Sequence, residues 1–347
     1  MPIVSDELAS LPSSAIVVIP CLNEEDHIQG VIDHFAAESE RVVRKIVVAD
    51  GGSTDRTIKI VEERSRQDGR IVLLHNTRQI QSSGINRAVE QYGDLAPFLI
   101  RVDAHADYPA GFCETLLAAQ EMTGAESVVV SMTARGVTCF QQAAAAAQNS
   151  RLGNGGSAHR RSAEGRFVDH GHHALMNIKA FRSVGGYDET FSHNEDAELD
   201  FRLIAAGYRI YLCPGADITY YPRMSLASLF RQYRNFGRGR VMTILKHRMK
   251  PKLRQAIPVM IGPAVALSVL GAVAPPLAIP AAVWAAATLL YGLFLGVRGR
   301  NGCACGSGVA AMAMHLGFSV GFISHLVTRK VLGKPAAAQC SAHADMG

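Results

Sequence analysis

Short apolar runs alternate with amphipathic stretches in the first hundred residues of the chain. The apolar runs cover residues 15–20, 46–49 and 98–102, and helix-like patterns cover residues 26–37, 54–66 and 84–91. Continuous apolar strands that alternate with helices are typical of a parallel sheet covered on both faces. The pattern therefore predicts an α/β fold with a mostly parallel central sheet.

The C-terminal part has a different pattern. Three stretches, residues 257–274, 277–297 and 309–327, contain no Asp, Glu, Lys or Arg. As helices, each would reach roughly 27–31 Å, close to the thickness of the hydrocarbon core of a bilayer. We expect two or three membrane helices, since Pro258 and Pro263 interrupt the first stretch and two histidines give the third a partly polar character.

Composition and charge divide the chain in the same place. Its 347 residues are 48% hydrophobic and 19% charged, which excludes a disordered or collagen-like protein. The net charge of +5 hides 20 basic and 29 acidic residues in 1–222, against 15 basic residues and one acidic residue in 223–347. Seven cysteines are too sparse for a disulfide scaffold and lack metal-ligand spacing, so we expect no role for Cys303 and Cys305.

These differences predict an acidic domain at 1–222, a basic amphipathic interfacial segment at 223–254, a membrane domain at 255–335 and a tail at 336–347. The positive-inside rule places the basic segment and the acidic domain on the cytoplasmic side of the inner membrane. A third span would leave Arg329, Lys330 and Lys334 outside, against that rule. The choice between two and three spans therefore stays open.

Each predicted strand is followed by polar residues. Parallel sheets bind ligands beyond the carboxyl ends of their strands, so we expect these residues to converge on one cleft. The clusters are Pro20-Cys-Leu22-Asn23-Glu24-Glu25, Asp50-Gly51-Gly-Ser-Thr-Asp55 and Asp103-Ala-His105-Ala-Asp107.

Two of these clusters carry candidate chemistry. The Asp50 carboxylate can accept hydrogen bonds from the N–H of a base or from ribose hydroxyls, whereas helix capping alone explains Ser53 to Asp55. Asp103 and His105 are two residues apart, so in an extended chain they would point the same way and could ligate one divalent cation.

The order and spacing of five motifs within about residues 16–240 resemble family-2 glycosyltransferases, and among these the membrane-associated enzymes of bacterial exopolysaccharide assembly of the succinoglycan type. The resemblance implies the nucleotide-sugar-binding fold called GT-A. The motifs are Pro20-x-x-Asn23-Glu24, Asp50-Gly-Gly-Ser-Thr-Asp55, Asp103-x-His105, Gly185-Gly186-Tyr187-Asp188-Glu189 and His193-Asn-Glu195-Asp196-Ala-Glu198-Leu199.

The resemblance also implies a donor site and a metal site. Asp103 and His105 occupy the positions that hold Mg²⁺ or Mn²⁺ on the diphosphate, where the cation stabilises the charge of the UDP leaving group. The second position is usually Asp, and the imidazole found here suits Mn²⁺ better than Mg²⁺. The residues implied to bind the UDP-sugar are Pro20, Leu22, Asn23, Glu24, Asp50, Gly51 and Asp103.

Asp196 matches the catalytic base of the family, which takes the proton of the acceptor hydroxyl in an inverting transfer. Its neighbour Glu195 is expected to point elsewhere. Glu198 and Arg202 are spaced for an i,i+4 ion pair, although Glu198 and Asp200 also fit a solvated helix N-terminus.

The acceptor side is assigned by the same resemblance to Gly186, Tyr187, Asp188 and Glu195, together with Gln232 and Arg234. Processive members of the family carry Gln-x-x-Arg-Trp where this chain has Gln-Tyr-Arg-Asn-Phe at 232–236, so we expect a single addition. A further cluster of basic residues predicts a positively charged loop between donor and acceptor, with a zinc site as the alternative. It comprises His159, Arg160, Arg161, Arg166, His170, His172 and His173.

Together these features predict transfer of one hexose, glucose by resemblance, from a UDP-sugar to a polyprenyl-diphosphate-linked saccharide at the membrane, with no nucleic-acid partner. One alternative is a synthase that transfers the sugar directly to polyprenyl phosphate. A second is a catalytically silent membrane assembly protein, against which Asp50, Asp103 and Asp196 argue.

Overall fold

A computed structural model describes residues 13–154, 164–251 and 253–332. Contacts divide the chain into two compact units, a first unit of Met1–Met132 and Arg161–Tyr220 and a second unit of Thr133–Arg160 and Tyr221–Gly347. Residues 133–160, which we expected in the acidic domain, thus group with the C-terminal residues. Their small apolar side chains cluster with residues of the later helices, including Ala144, Ala147, Ala310 and Met314.

One sheet organises the first unit. Within the described residues it contains nine strands in the order β3-β2-β1-β4-β8-β6-β9-β5, with β7 paired to β9. The strands are β1 (Ala15–Cys21), β2 (Val43–Asp50), β3 (Ile71–His75), β4 (Phe98–Arg101), β5 (Ala106–Asp107), β6 (Ser127–Ala134), β7 (Arg166–Val168), β8 (His172–Asn177) and β9 (Ile210–Tyr220).

The predicted α/β class is confirmed, and the sheet is mixed. Strands β3, β2, β1 and β4 run parallel, with β1 paired to β2 from Ala15↔Val43 to Cys21↔Asp50. Strand β8 then pairs antiparallel with both β4 and β6, and β5 and β7 pair antiparallel with β9. The apolar runs alone do not distinguish these two directions of pairing.

Helices cover both faces of the sheet. Val17 and Ile19 of β1 pack on one face, in a core that includes Phe35, whereas Ile16 and Val18 pack on the other with Ile85. This alternation is the period-2 geometry of a strand buried on both sides. The helices of the first unit are α1 (Ile28–Ala36), α2 (Thr57–Gln67), α3 (Gln81–Tyr92) and α4 (Phe112–Thr123), followed by α7 (Ile178–Ser183) and α8 (Glu195–Ala205).

The described residues of the second unit are mostly helical. Three segments are long and apolar enough to cross a membrane, namely Gln255–Ala272, Pro275–Arg298 and Cys303–Arg329. Within the described residues, three C-terminal helices that could span a membrane are thus confirmed, and the choice between two and three spans stays a prediction. The helices are α5 (Cys139–Asn149), α6 (Arg151–Asn154), α9 (Leu226–Lys246), α10 (Leu253–Ser268), α11 (Ile279–Arg298) and α12 (Ser307–Leu332).

One of the two prolines of α10, Pro263, is accommodated by a neighbouring helix. Pro263 has no N–H, so the carbonyl of Val259 lacks its usual partner four residues on. The Ser319 hydroxyl of α12 donates to that carbonyl at 2.7 Å, and it also accepts from the Gly262 N–H at 3.0 Å. The helix therefore continues through Pro263 with its backbone groups satisfied.

A disulfide joins Cys139, at the start of α5, to Cys303, in the turn before α12. Our expectation that Cys303 has no role was therefore wrong for this residue. The two cysteines are 164 residues apart, and no spacing motif relates them. Cys305 is not part of a disulfide.

Candidate active site

The loops that follow β1 and β2 are joined by hydrogen bonds. The Asn23 N–H donates to the Ser53 hydroxyl at 2.8 Å, and the Asn23 side-chain oxygen accepts from the Thr54 N–H at 2.8 Å. The Glu24 N–H donates to the Thr57 hydroxyl at 2.8 Å. Asn23 has a φ of +54°, a left-handed conformation that asparagine tolerates better than most residues. The two loops therefore form one surface at the carboxyl ends of their strands, as predicted.

The buried carboxylate of Asp50 stabilises the loop after β2. Its carboxylate is buried and accepts hydrogen bonds from the N–H groups of Gly52 (2.8 Å) and Ser53 (3.1 Å) and from the Ser53 hydroxyl. We expected the carboxylate to face a base or a ribose, whereas its oxygens hold the Gly51-Gly52-Ser53 turn in place. Contact with a nucleotide by Asp50, as by Pro20, Leu22 and Gly51, stays a prediction.

The third cluster joins the first through His105. Its Nδ1 lies 3.0 Å from Glu24 Oε1, so the loop after β4 meets the loop after β1. Asp103 instead accepts from the Gln81 side chain at 3.0 Å and lies 3.6 Å from His172. The chain turns at residues 104–105 instead of extending, so the argument from an extended chain does not apply, and joint ligation of a cation by Asp103 and His105 stays a prediction.

Asp103 fits a single carboxylate ligand for a cation. Burial opposes its ionisation, but the Arg101 guanidinium and His172 outweigh burial and lower the pKa of Asp103. The described residues contain no cluster of three or more His, Cys, Asp or Glu side chains that could hold a metal ion. A cation at Asp103 would therefore take most of its ligands from a bound ligand and water, as Mg²⁺ commonly does.

A buried arginine lies at the centre of the site. Arg101 ends β4, is 6% exposed, and its guanidinium contacts the Asp196 carboxylate. Its Nη2 lies 3.7 Å from Asp103 and 3.6 Å from Glu195. Three acidic groups from two separate segments thus converge on one cation. Sequence reasoning did not identify Arg101, although a charged residue inside the apolar run 98–102 was the available signal.

Asp196 and Glu195 have different protonation behaviour. Burial alone would raise the pKa of Asp196, but Arg101 and then His173 outweigh it and lower that pKa. Burial and the Asp196 charge raise the pKa of Glu195 to about 7. Glu195 therefore faces the same cluster as Asp196, and our expectation that it points elsewhere was wrong.

The histidines of β8 belong to this cluster as well. His173 is fully buried between Asp200 and Tyr187, and His170 lies 2.8 Å from Asp200. We expected a positively charged loop here. Instead, His170, His172 and His173 each lie beside a carboxylate. His159, Arg160 and Arg161 lie outside the described residues.

Helix α8 presents its acidic residues inward. Glu198 and Asp200 are both buried, so the solvated helix terminus that we considered for them is wrong. Glu198 pairs with Arg202 at 2.6 Å, which confirms the predicted ion pair. Burial opposes ionisation of Asp200, but His173 and the hydrogen bond from His170 outweigh it and lower the pKa of Asp200 to about 2.

The predicted acceptor-side residues occupy three places. Gly186 has a φ of +66°, and an added Cβ would lie 2.6 Å from the Asn86 side-chain oxygen, so this turn requires glycine. Tyr187, which follows it, is buried beside Arg101, and Asp188 accepts from the Thr190 N–H at 2.8 Å. Gln232 and Arg234 lie on α9 of the second unit. Their roles stay predictions.

Comparisons with known proteins agree with this geometry. The family model described as Glycosyl transferase family 2 matches residues 16–185, and that described as Glycosyl transferase family group 2 matches residues 105–298. "Succinoglycan biosynthesis protein ExoA" of Rhizobium meliloti (strain 1021) is 48% identical over 93% of this chain and 97% of its own length.

Two more distant similarities were found. A Methanococcus voltae protein, "Dolichyl N-acetyl-alpha-D-glucosaminyl phosphate 3-beta-D-2,3-diacetamido-2,3-dideoxy-beta-D-glucuronosyltransferase", is 24% identical over 66% of this chain and 74% of its own length. The solved structure of mannosyltransferase PcManGT from Pyrobaculum calidifontis, in complex with GDP-Man and Mn²⁺, aligns with a TM-score of 0.56 at 18% identity. This alignment covers 91% of this chain and 90% of that chain and shows a shared fold.

Proposed function

The chain belongs to glycosyl transferase family 2 and has the GT-A fold, and from this premise we propose that it moves a single hexose, with inversion, from a UDP-sugar to a polyprenyl-diphosphate-linked saccharide. The observation that carries the proposal is the convergence of Asp103 and Asp196 on the buried Arg101. In the same site, the Asp103 carboxylate is thereby available to bind a cation, and the Asp196 carboxylate is available to accept a proton.

Asp196 is the proposed base. As the acceptor hydroxyl attacks the anomeric carbon, its proton goes to the Asp196 carboxylate, and its oxygen forms the new bond to the sugar. The bond from the anomeric carbon to UDP breaks, and its electron pair leaves on the diphosphate. Arg101 keeps Asp196 ionised at neutral pH, as a base requires.

The surface formed by the loops after β1 and β2 supports a nucleotide site. Asn23, Glu24 and the turn held by Asp50 are fixed by hydrogen bonds between the loops, so little ordering is required when a ligand binds. Backbone groups of the Gly51-Gly52 turn can approach a base or ribose closely because glycine has no side chain.

Asp103 is the proposed metal residue. When bound, Mg²⁺ or Mn²⁺ would stabilise the negative charge of the leaving diphosphate. His105 contacts Glu24, so it would have to give up or share this contact to serve as a second ligand. The Mn²⁺ in the complex of the mannosyltransferase, which shares the fold, supports a requirement for a divalent cation.

The second unit supports a lipid-linked acceptor. Helix α9 exposes basic residues, including Arg231 and Arg234, beside exposed apolar side chains such as Phe236. Such a face suits the headgroup region of an anionic membrane, with the apolar helices inserted and the catalytic domain on the cytoplasmic side. The names of the two relatives, which refer to succinoglycan biosynthesis and to a dolichyl-linked phosphate, support a role in exopolysaccharide assembly and a lipid-linked acceptor.

Product analysis tests the proposal. The purified full chain in detergent is incubated with radiolabelled UDP-glucose and Mg²⁺ or Mn²⁺. Each reaction also contains one acceptor, which is polyprenyl phosphate, a lipid-linked monosaccharide or a lipid-linked disaccharide. We expect one labelled hexose on a lipid-linked saccharide and no product with Asp196→Asn. Label on polyprenyl phosphate alone would identify a polyprenyl-phosphate sugar synthase. Wild-type polymer yield in a strain carrying Asp196→Asn would identify the non-catalytic alternative.

A further inference from the structure

A continuous chain of hydrogen bonds connects Asp200 to Asp196. The Nε2 of His173 lies 2.7 Å from Asp200 Oδ1, and the His173 Nδ1 lies 2.7 Å from the Tyr187 hydroxyl. The Tyr187 hydroxyl donates to Asp196 Oδ1 at 3.3 Å. A fully buried imidazole therefore links two carboxylates of α8 that are four residues apart.

The far end of this chain is fixed by further contacts. Asp200 is 1% exposed, and its second oxygen accepts from the Gly171 N–H at 3.3 Å and contacts His170 Nδ1 at 2.8 Å. Both oxygens of this carboxylate are thus engaged. A buried charge with full hydrogen bonding holds its partner in one orientation, because any other orientation would leave groups unpaired. The ring of His173 is therefore held from the Asp200 side.

At the other end of the chain of hydrogen bonds, all contacts are made to one oxygen of Asp196, the proposed base. The groups from Arg101, Tyr187 and His173 all meet Asp196 at Oδ1, the His173 Nδ1 at 3.4 Å. No hydrogen bond reaches Asp196 Oδ2 from the described residues, and the side chain is 16% exposed. The arrangement therefore fixes the carboxylate by one oxygen and leaves the other accessible.

We propose that His173, held by Asp200, is a positioning residue that acts through Tyr187 to orient Asp196, so that Oδ2 receives the proton of the acceptor hydroxyl. This inference rests on the proposed role of Asp196 as the base. When the acceptor O–H bond breaks, the proton goes to Oδ2, the acceptor oxygen bonds to the anomeric carbon, and the electron pair of the broken sugar bond leaves on UDP.

Several charged groups face Asp196, and the pKa of His173 is raised among them, because Asp200 and Asp196 outweigh the burial of its ring. Loss of the imidazolium would leave Arg101 as the compensating charge on β4 and would raise the pH at which Asp196 protonates. The charged and titratable groups around Asp196 are Arg101 from β4, His172 and His173 from β8, Tyr187, and Glu195 and Asp200 from α8, with Asp103 on the other side of Arg101.

Two variants of the full chain test the inference. Tyr187→Phe removes one hydroxyl and keeps the ring that packs on Phe181, and His173→Asn removes the imidazole. For both we expect kcat to fall about 10- to 100-fold at pH 7, less than the roughly 10²–10⁴-fold of a group that transfers the proton itself, with the KM for the UDP-sugar unchanged within about twofold. Tyr211→Phe, in β9, is the matched control and should keep the wild-type kcat.

The pH profile separates positioning from a structural role. For His173→Asn we expect the acid limb of kcat to move to higher pH, so that the loss is larger at pH 6 than at pH 8.5. An equal loss at every pH, or an increase in KM with kcat unchanged, would overturn the inference. If His173→Asn does not fold, as judged by its melting temperature, Tyr187→Phe decides the matter by its kcat.

A parallel assay of Asp196→Asn distinguishes the two levels of the proposal. If Asp196→Asn is inactive while Tyr187→Phe and His173→Asn behave as wild type, the positioning role is wrong and the base assignment stands. If Asp196→Asn transfers sugar at the wild-type rate, the proposed base itself is wrong, and the positioning role falls with it.

Discussion

The guanidinium of Arg101, at the end of β4, is paired with the carboxylate of Asp196, in the first turn of α8. Ninety-five residues separate the two in sequence, and the pair brings the strand-end cluster of Asp103 into the same site as the proposed base. Because this ion pair is buried, the loss of either partner would leave an uncompensated charge inside the protein.

We expect Arg101→Gln to lower both stability and activity. Asp103, Glu195 and Asp196 would lose their shared cation, and removal of one partner of a buried pair typically costs about 3–5 kcal/mol. Thermal unfolding of the purified chain in detergent measures the stability, and Arg101→Lys is the matched control that keeps a positive charge. A melting temperature of Arg101→Gln equal to that of the wild type would contradict this prediction.

Glu195 makes stability depend on pH. The pKa of this carboxyl is raised to about 7 in the folded chain by burial and by Asp196, from an ordinary value of 4.5. Between these values the folded state binds more protons than the unfolded state, so the stability contributed by this group falls as the pH rises from about 5 to 7. Above pH 7 the ionised carboxylate is a cost.

Glu195→Gln should therefore stabilise the chain at pH 8, by up to about 3 kcal/mol for a shift of this size, and the gain should disappear towards pH 5. Melting temperatures of the wild type and the variant at both pH values check the sign. Glu189→Gln, outside the cluster, is the control. A gain of equal size at pH 5 and pH 8 would mean that ionisation of Glu195 is not its cause.

The metal site can be tested at His105. If His105 is a ligand, His105→Asp should keep activity and increase the ratio of Mg²⁺- to Mn²⁺-supported activity several-fold, because Mg²⁺ prefers oxygen ligands. The assay measures UDP release with each ion and with a chelator. An unchanged ratio would indicate that His105 serves only its contact with Glu24, and full activity in the chelator would exclude the metal altogether.

The sequence predicted the elements whose signal is local. The strands Ala15–Cys21 and Val43–Asp50 follow from continuous apolar runs, and the three apolar C-terminal helices follow from length and composition. Asp196 was found through a motif. Each of these features depends on residues that are close together in the chain.

Partners that lie far apart in the chain could not be predicted in this way. The pairing of Asp196 with Arg101, and of Asp200 with His173, depends on the antiparallel placement of β8 beside β4 and on the packing of α8 against these strands. The period-2 argument for His105 does not apply for a local reason, since a turn at residues 104–105 replaces the extended chain that it assumes, and His105 as a metal ligand stays a prediction.

The disulfide gives a further prediction for the second unit. Cys139→Ser should lower the melting temperature of protein purified without reductant, because a cross-link across a long loop stabilises by about 2–4 kcal/mol. Cys305→Ser, two residues from Cys303, is the matched control and should melt as the wild type does. A reductant should lower the melting temperature of the wild type and of Cys305→Ser but leave Cys139→Ser unchanged. An equal response in all three proteins would show that the Cys139–Cys303 bond does not form.

Close packing of α9 on α12 gives the last prediction. A Cβ added at Gly321 would lie 1.9 Å from the carbonyl oxygen of Arg234, a backbone atom that cannot move without the helix. Gly321→Ala should therefore separate the two helices and cost about 1–3 kcal/mol, as overpacking does. Val320→Leu, at an exposed position of the same helix, is the control. Melting temperatures in detergent measure both variants, and equal values for Gly321→Ala and wild type would show that the helices are not in backbone contact.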